Sequence, residues 1–473
     1  MKIRKLLMIE PKAPGVHVFS LVRIPRLGLP ILGTLAHRRG KDTRVVIEDA
    51  SALDTKMITD ADLLCISTIT PTAPRAYELA DQARAAKIPV LMGGPHVTFF
   101  PDEALRHSDW VIRGEADTSF EQFLDMLEQD GDPQSVPGLS FMRNNEIVHN
   151  AINSMPVSMD SVAIPDFSLL EGRKKRHDFD LGIIPIQTSR GCPHNCNFCS
   201  VTPMFGHKMR YASKEHVAEE LNQRKGHGNT VFFYDDNFCA SPKRTKSLLD
   251  YLLTHNVFLP PWMAQVSVRA AKDTEMVELM HRAGCYRVFI GLESIDAGSL
   301  AQYHKHQTIE DIKFAVRRFH QSKIQIHGMF MFGSDSDSAE TIRATSRFVM
   351  EERIDTVQFM VLTPLPGTPV YTQMSRNGRL LTDDWSQYDA HHTVFRPKKM
   401  SATELTSQAI EGMAKVYSLP RILSMAMRGK FNEAILNFYA RRQVKRWKKE
   451  NSPEVKTTSA LPLKVQNVEP AQR

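Results

Sequence analysis

The chain has no long apolar run. Nothing in its 473 residues approaches the roughly 18 consecutive apolar side chains that a membrane-crossing helix needs. Met1 to Glu10 has neither the apolar core nor the cleavage site of a secretory leader, so the expected location is the cytosol. Cysteine is scarce, six in all, too few for a secreted disulfide framework. Neither sign of charge dominates: 60 Lys and Arg against 53 Asp and Glu leave a net +7, which by itself gives no argument for a nucleic-acid partner. No internal repeat is visible. What remains is the composition of an ordinary globular protein, 42% hydrophobic and 24% charged, which excludes disorder, collagen-like sequence and coiled coil as descriptions of the whole.

The apolar residues are organised. From Lys5 to about Glu115, β-branched runs (KLLMIE, TRVVIED, DLLCIST, IPVLMGG) alternate with helical patterns such as APRAYELADQARAA. Continuous apolar strands separated by helices predict a parallel sheet covered on both faces, a Rossmann-like domain over residues 1–150. That domain closes on a hairpin, LSFMRNN then EIVHN, with Asn144-Asn145 at its turn. Residues 151–182 lack periodicity, contain Pro156 and Pro165 and end in the charged run Arg173 to Arg176, and read as a linker. A second series of six βα units begins at Ile183 and fits a partial (β/α)6 barrel over residues 183–400. Residues 401–450 read as a basic helical extension, and 451–473 as a disordered tail. The predicted class is therefore α/β, in two domains with a helical appendage.

Three of the six cysteines fall within eight residues, Cys192-Pro-His-Asn-Cys196-Asn-Phe-Cys199, directly after the first strand of the second series. In barrels of this kind chemistry sits where strands end. Thiolates are soft ligands that suit zinc or iron–sulfur, and a structural zinc ion wants four protein ligands. Three would leave one iron of a cube free for substrate or cofactor. His194 or His207 could instead complete a zinc site, and Cys239 or Cys285 could supply a fourth cluster ligand.

The loop C-x-x-x-C-x-x-C, with aromatic Phe198 before its last Cys, resembles the signature of the radical S-adenosylmethionine (SAM) enzymes. The likeness continues, in order, through Tyr234-Asp235-Asp236-Asn237-Phe238, Gly291-Leu292-Glu293-Ser294 and Leu362-Thr363-Pro364-Leu365-Pro366-Gly367-Thr368-Pro369. It is strongest to members with an N-terminal cobalamin-binding domain, the class B methyltransferases and the anaerobic Mg-protoporphyrin monomethyl ester cyclases. The resemblance implies that Cys192, Cys196 and Cys199 hold a 4Fe-4S cluster at which SAM is cleaved to a 5′-deoxyadenosyl radical. It implies SAM contacts from Phe198, Asp235, Asp236, Asn237 and Glu293, and weaker ones from Ser267 and Arg269. A carboxylate and an amide oxygen suit an ammonium group, although acids at strand ends also cap helices. Ser67, Gly93 and Gly94 would accommodate the nucleotide tail of cobalamin. The implied function is cobalamin-dependent methylation of an unactivated carbon, with radical cyclisation or oxidation as the enzymatic alternative. An iron–sulfur or cobalamin sensor or carrier is the rival from another class. The implied partners are a small molecule, lipid or tetrapyrrole, and a reductant such as flavodoxin or ferredoxin.

The pattern breaks in one place. The cobalt-ligating Asp-x-His-x-x-Gly motif of the cobalamin fold is missing, and after LLMIE come Pro11, Gly15 and His17, without the Asp or the spacing. His96 is the other histidine to weigh as a ligand. At the opposite end, Arg421 to Lys449 carries nine basic residues against Glu433, with apolar residues at near-helical intervals. An interfacial helix on anionic lipid competes there with a cap packed on the barrel, and no base-stacking motif accompanies the charge to suggest nucleic acid.

Overall fold

The computed structural model describes residues 3–13, 15, 24–152, 157–172 and 182–451. His17, Pro156, the run Arg173 to Arg176 and the expected tail beyond Asn451 lie outside the described residues.

Seven strands form the first sheet: β1 (Lys5–Glu10), β2 (Asp42–Ile47), β3 (Leu63–Ser67), β4 (Val90–Gly93), β5 (Trp110–Ile112), β6 (Leu139–Arg143) and β7 (Glu146–His149). Their order is β2-β1-β3-β4-β5-β6-β7, parallel through β5 and antiparallel beyond it. The first five strands thus follow the doubly wound order 2-1-3-4-5, whose ligand crevice opens at the carboxyl ends of β1 and β3. Asn144 and Asn145 both take positive φ, 51° and 63°, the requirement of a type I′ turn. Leu7, Ile9, Leu64 and Ile66 are buried on one face, and Leu6, Met8, Leu63 and Cys65 on the other, so the sheet is covered on both sides.

The linker is structured where described. Phe167 is buried beneath the Arg224 guanidinium, 4.4 Å from its ring, and Leu170 bridges to Val45 at the edge strand β2.

The second series begins with β8 (Ile183–Ile186). The run read as one strand, IIPIQTSR, is broken after Ile186, and its end forms β9 (Ser189–Arg190), paired antiparallel with β10 (Arg210–Tyr211). Then follow β11 (Thr230–Phe233), β12 (Trp262–Val266), β13 (Cys285–Glu293), β14 (Gln325–Phe332) and β15 (Thr356–Val361). Strands β8 and β11 to β15 pair in sequence order, all parallel, the six-unit open series of a partial barrel. Its crossover helices start on side-chain caps: Ser213, Ser241, Asp273, Thr308 and Ser338 each accept from a backbone N–H of the first turn.

The carboxyl edges of the two sheets face each other. Gly367, beyond β15, lies so close to Phe99, beyond β4, that a Cβ would meet its ring at 2.4 Å. Arg190, beyond β8, pairs with Glu115 and Asp117, beyond β5. The segment assigned from sequence to the barrel also returns to the first domain. Trp385, Tyr388 and Val394 belong to that domain's core, and Trp385 Nε1 donates to Glu103 at 2.9 Å, since a buried indole needs an acceptor.

Candidate functional site

The three cysteines sit on the loop between β9 and the short helix Val201–Phe205, each partly exposed and none in a disulfide. The loop is tied down by its intervening residues. Asn197 Nδ2 donates to Gln302 O at 2.7 Å, Val370 N donates to Asn197 O at 3.1 Å, and Phe198 meets Tyr303 edge to face at 5.5 Å. Burial pushes the Cys199 thiol up to about 12 and raises Cys192 and Cys196 as well, so thiolates here call for bound positive charge. No three His, Cys, Asp or Glu side chains among the described residues are disposed to hold a single metal ion. A tetrahedral zinc site with bonds of about 2.3 Å would draw its sulfurs to about 3.8 Å, whereas a multi-iron cluster takes thiolates at widely separated corners. The donor set fits the cluster. Cys239 and Cys285 are no fourth ligands: both are buried, Cys239 against Met280 Sδ at 3.8 Å, Cys285 at the opposite, amino end of β13.

Beyond β11 the two acids differ. Asp235 is buried and accepts from Thr188 N at 2.7 Å, Thr188 Oγ1 at 2.6 Å and Ser189 N at 2.8 Å, while Arg244 bonds the same threonine. Its carboxylate is committed to holding the turn that leads into the cysteine loop. Asp236 is half-buried with no hydrogen-bonded partner for its carboxylate among the described residues, and burial together with Asp235 pushes it up to about 7. Asn237 is buried with its Oδ1 unpartnered.

Glu293 ends β13 at a register shift and takes φ 60°, a conformation that side chains other than glycine adopt at a cost. Its Oε1 lies 2.8 Å from Lys305 Nζ. Burial alone would lower Lys305, but Glu293 and the neighbouring thiols raise it. A small cavity gathers Cys196, His194, Ser267, Arg269, Lys305 and His306. Burial, then Lys305 and Arg269, lower His194, which marks this corner as electropositive and suited to a carboxylate.

On the facing sheet, Ser67 and Gly93 are neighbours across β3 and β4. Gly94 has φ 101°, and a Cβ there would strike Thr68 O at 2.6 Å, so the chain's own packing demands this glycine. At Gly93 an added Cβ would meet only Ile112 O, at 3.7 Å, which leaves the backbone open at the carboxyl edge of β4. His96, in contrast, is fully buried, with Nε2 against Glu103 at 3.3 Å and its ring 5.0 Å from Trp385. It is a core histidine.

Sequence reasoning missed Lys305, Arg190, Glu115 and Asp117. Lys305 stands between His304 and His306 with nothing in the local pattern to mark it. Arg190 stands two residues ahead of Cys192, but the acids it binds are more than seventy residues away, a pairing no local pattern announces.

Three free thiols on a loop at the carboxyl ends of a six-stranded parallel barrel, facing the ligand edge of a doubly wound sheet, define a two-domain cofactor enzyme of the iron–sulfur kind. The Radical SAM superfamily model matches residues 186–349 and the B12 binding domain model residues 23–124. The chain is 31% identical over 436 residues, 90% of each chain, to bacteriochlorophyllide d C-12(1)-methyltransferase of Chlorobaculum tepidum. It is 27% identical to hopanoid C-2 methylase of Rhodopseudomonas palustris, over 72% of this chain and 62% of that one. Its fold matches the radical SAM methyltransferase TsrM of Kitasatospora setae, solved with cobalamin and a [4Fe-4S] cluster, at TM-score 0.68 and 16% identity, covering 89% and 90% of the two chains. The chain belongs to the cobalamin-dependent radical SAM enzymes. Its cofactors are accordingly a 4Fe-4S cluster, SAM and cobalamin.

Proposed function

We propose that the protein methylates an unactivated carbon of an apolar, polycyclic small molecule, a tetrapyrrole or a lipid. The observation that carries the methylation reading is the cysteine loop at the barrel's carboxyl edge facing the carboxyl edge of the first sheet, two edges at which the cluster and cobalamin would sit, and the substrate class is supported by the bacteriochlorophyllide and hopanoid that relatives are named for. When bound, the cluster supplies one-electron cleavage of SAM to a 5′-deoxyadenosyl radical, and cobalamin supplies the methyl group.

The chain's own residues bind and orient. Cys192, Cys196 and Cys199 would hold three corners of the cluster, with Phe198 packing the loop. Asp236 and Asn237 offer acceptors for the amino group of SAM, on a segment that Asp235 holds through Thr188. Arg269, Ser267 and Lys305 would suit its carboxylate, and Glu293 would offer an acceptor to its ribose. Ser67, Gly93 and Gly94 would carry the nucleotide tail of cobalamin at the edge of β3 and β4. With no cobalt-ligating motif after β1 and His96 enclosed in the core, the chain offers cobalt no histidine from those two positions. A flavodoxin or ferredoxin in the cytosol would supply the electron.

The test is anaerobic turnover of reconstituted protein with methyl-deuterated SAM, hydroxocobalamin and either a bacteriochlorophyllide or a pentacyclic triterpene. Methyl transfer requires 5′-deoxyadenosine and S-adenosylhomocysteine in equal amounts and deuterium in the product. Deoxyadenosine alone, with an unlabelled oxidised or cyclised product, would replace methylation by radical cyclisation.

A further inference from the structure

Two helices close the described chain, Leu419–Met427 and Phe431–Asn451, joined through Arg428, Gly429 and Lys430. The longer one has two unlike faces. Ala434, Asn437, Ala440, Val444 and Trp447 are buried at intervals of three and four. Asn437 Nδ2 donates to Asp355 O just before β15, and Trp447 lies 6.0 Å from His391 beside the far end of that strand. The helix therefore runs alongside β15, the edge of the barrel.

The other face is exposed along a single stripe of Phe431, Ile435, Phe438, Arg442, Lys445 and Lys449, the i, i+4, i+7 recurrence of one helix surface. Its first half is apolar and its second half basic. The preceding helix adds Leu419, Leu423 and Met427 at intervals of four. Met427 is 82% exposed, Ile435 69%, Phe431 64% and Leu423 60%. Among the described residues, eleven large apolar side chains are exposed, and six lie on this hairpin. Concentrated exposure of this kind marks a contact surface.

We infer that the hairpin lies on an anionic membrane surface, with Leu423, Met427, Phe431, Ile435 and Phe438 in the headgroup boundary and the basic stripe on lipid phosphates. Charge selects this occupant. Arg428, Arg442, Lys445 and Lys449 have no acidic partner among the described residues, whereas Glu433 is engaged by Gln325 and Glu450 by Arg446. A second copy meeting this face would bring no acidic side chains to Arg428, Arg442, Lys445 and Lys449, because the face carries the same residues in both copies. An anionic leaflet meets both halves of the stripe at once. No described helix is long and apolar enough to cross a membrane, so the contact is with one leaflet.

The experiment is flotation of the full chain with vesicles of phosphatidylcholine alone or mixed with phosphatidylglycerol, at low and high salt. No cofactor need be loaded, so the result is independent of the reaction proposed above. The full chain is expected to float with the anionic vesicles and to be released by salt. Met427→Asp with Phe431→Asp should weaken binding roughly tenfold or more by taking charge into the apolar half. Arg442→Gln, Lys445→Gln and Lys449→Gln together should reduce it on anionic vesicles and leave weak binding to neutral ones unchanged. Both changes lie at exposed positions, and unaltered thermal unfolding checks that the fold is kept. Failure to float with anionic vesicles at low salt overturns the inference. So does flotation that Met427→Asp with Phe431→Asp leaves intact, or concentration-dependent dimerisation that the same substitutions abolish without any vesicle binding, which would assign the patch to a second copy.

Discussion

Arg190 and Asp117 are joined by two hydrogen bonds, Nη1 to Oδ2 at 2.6 Å and Nη2 to Oδ1 at 3.1 Å, across the boundary between the two sheets. Glu115 accepts from the same guanidinium at 2.7 Å and is held from its other side by Arg210. All three partners of this latch are largely withdrawn from water. Because Arg190 stands two residues ahead of Cys192, whatever sets the spacing of the two domains also sets the cysteine loop.

Arg190→Met leaves Asp117 enclosed without its cation, and removing one partner of a buried pair costs about 3–5 kcal/mol. The expected result is a drop of that size in urea unfolding of the apoprotein, with a splitting of the transition as the domains lose their shared contact. A single transition within about 0.5 kcal/mol of the parent would show that the latch carries no stability.

Iron should follow the loop and nothing else. Replacing Cys192, Cys196 or Cys199 singly by Ala is expected to abolish a stable complement of four irons after anaerobic reconstitution, read from iron content and the broad iron–sulfur absorption. Cys65→Ala, Cys239→Ala and Cys285→Ala should keep their iron, since these thiols are buried and burial raises all three. Their cost is one of packing, about 1 kcal/mol each.

Much of this was legible beforehand, because it is written in local pattern. Alternating apolar runs and helical periods set out both sheets, Asn144-Asn145 announced its turn, and the cysteine spacing singled out the loop. What stayed hidden depends on tertiary partners. The sequence offers both Asp235 and Asp236 as cofactor contacts, the first ahead of the second, and only the position of Thr188, Ser189 and Arg244 separates an acid committed to the fold from one left open. Trp385 reads as a barrel residue because chain order cannot show that Glu103, 282 residues away, accepts its N–H. The basic helix read as either a cap or an interfacial element. One face of it packs and the other is exposed.

That division between the adjacent acids is testable. Asp235→Ala strips Thr188 and Ser189 of their acceptor and leaves Arg244 in a buried site with less opposing charge, so a loss of about 3 kcal/mol is expected. Asp236→Ala removes a carboxyl that burial and Asp235 hold up at about 7, so it should leave stability at neutral pH unchanged or raised, yet weaken SAM binding to the reconstituted protein. Unfolding and equilibrium dialysis on both variants separate the two roles. Equal loss of stability would contradict the assignment.

Glu220 gives a pH dependence with a definite sign. It is 4% exposed, and burial pushes its carboxyl up to about 7, with Arg224 opposing the shift. Between about 4.5 and 7 the unfolded chain has released this proton while the folded chain keeps it, so stability falls as pH rises through that window and levels off above it. At about 1.4 kcal/mol per unit the total is roughly 3 kcal/mol. Glu220→Gln, which mimics the protonated form, should remove this slope and stabilise the protein at pH 8. A parent and variant with parallel stability curves between pH 4.5 and 8 would contradict it.

Glu293 and Lys305 form the remaining pair, 2.8 Å apart beside Cys196, with Glu293 held at φ 60°. A strained backbone persists only where its surroundings enforce it, and here the side chain beyond it is held by a largely enclosed cation. Glu293→Gln and Lys305→Met should each destabilise by about 3 kcal/mol, since each strands the other's charge, while the double variant should recover part of that loss. The coupling energy from the four proteins is expected to be about 1–3 kcal/mol. Its dependence on SAM then distinguishes a structural pair from a working one. If Glu293 moves toward the ribose and Lys305 toward the carboxylate, the coupling measured on reconstituted protein should shrink when SAM is added. A coupling indifferent to SAM would leave the pair a support for the end of β13 and remove Glu293 from the cofactor contacts.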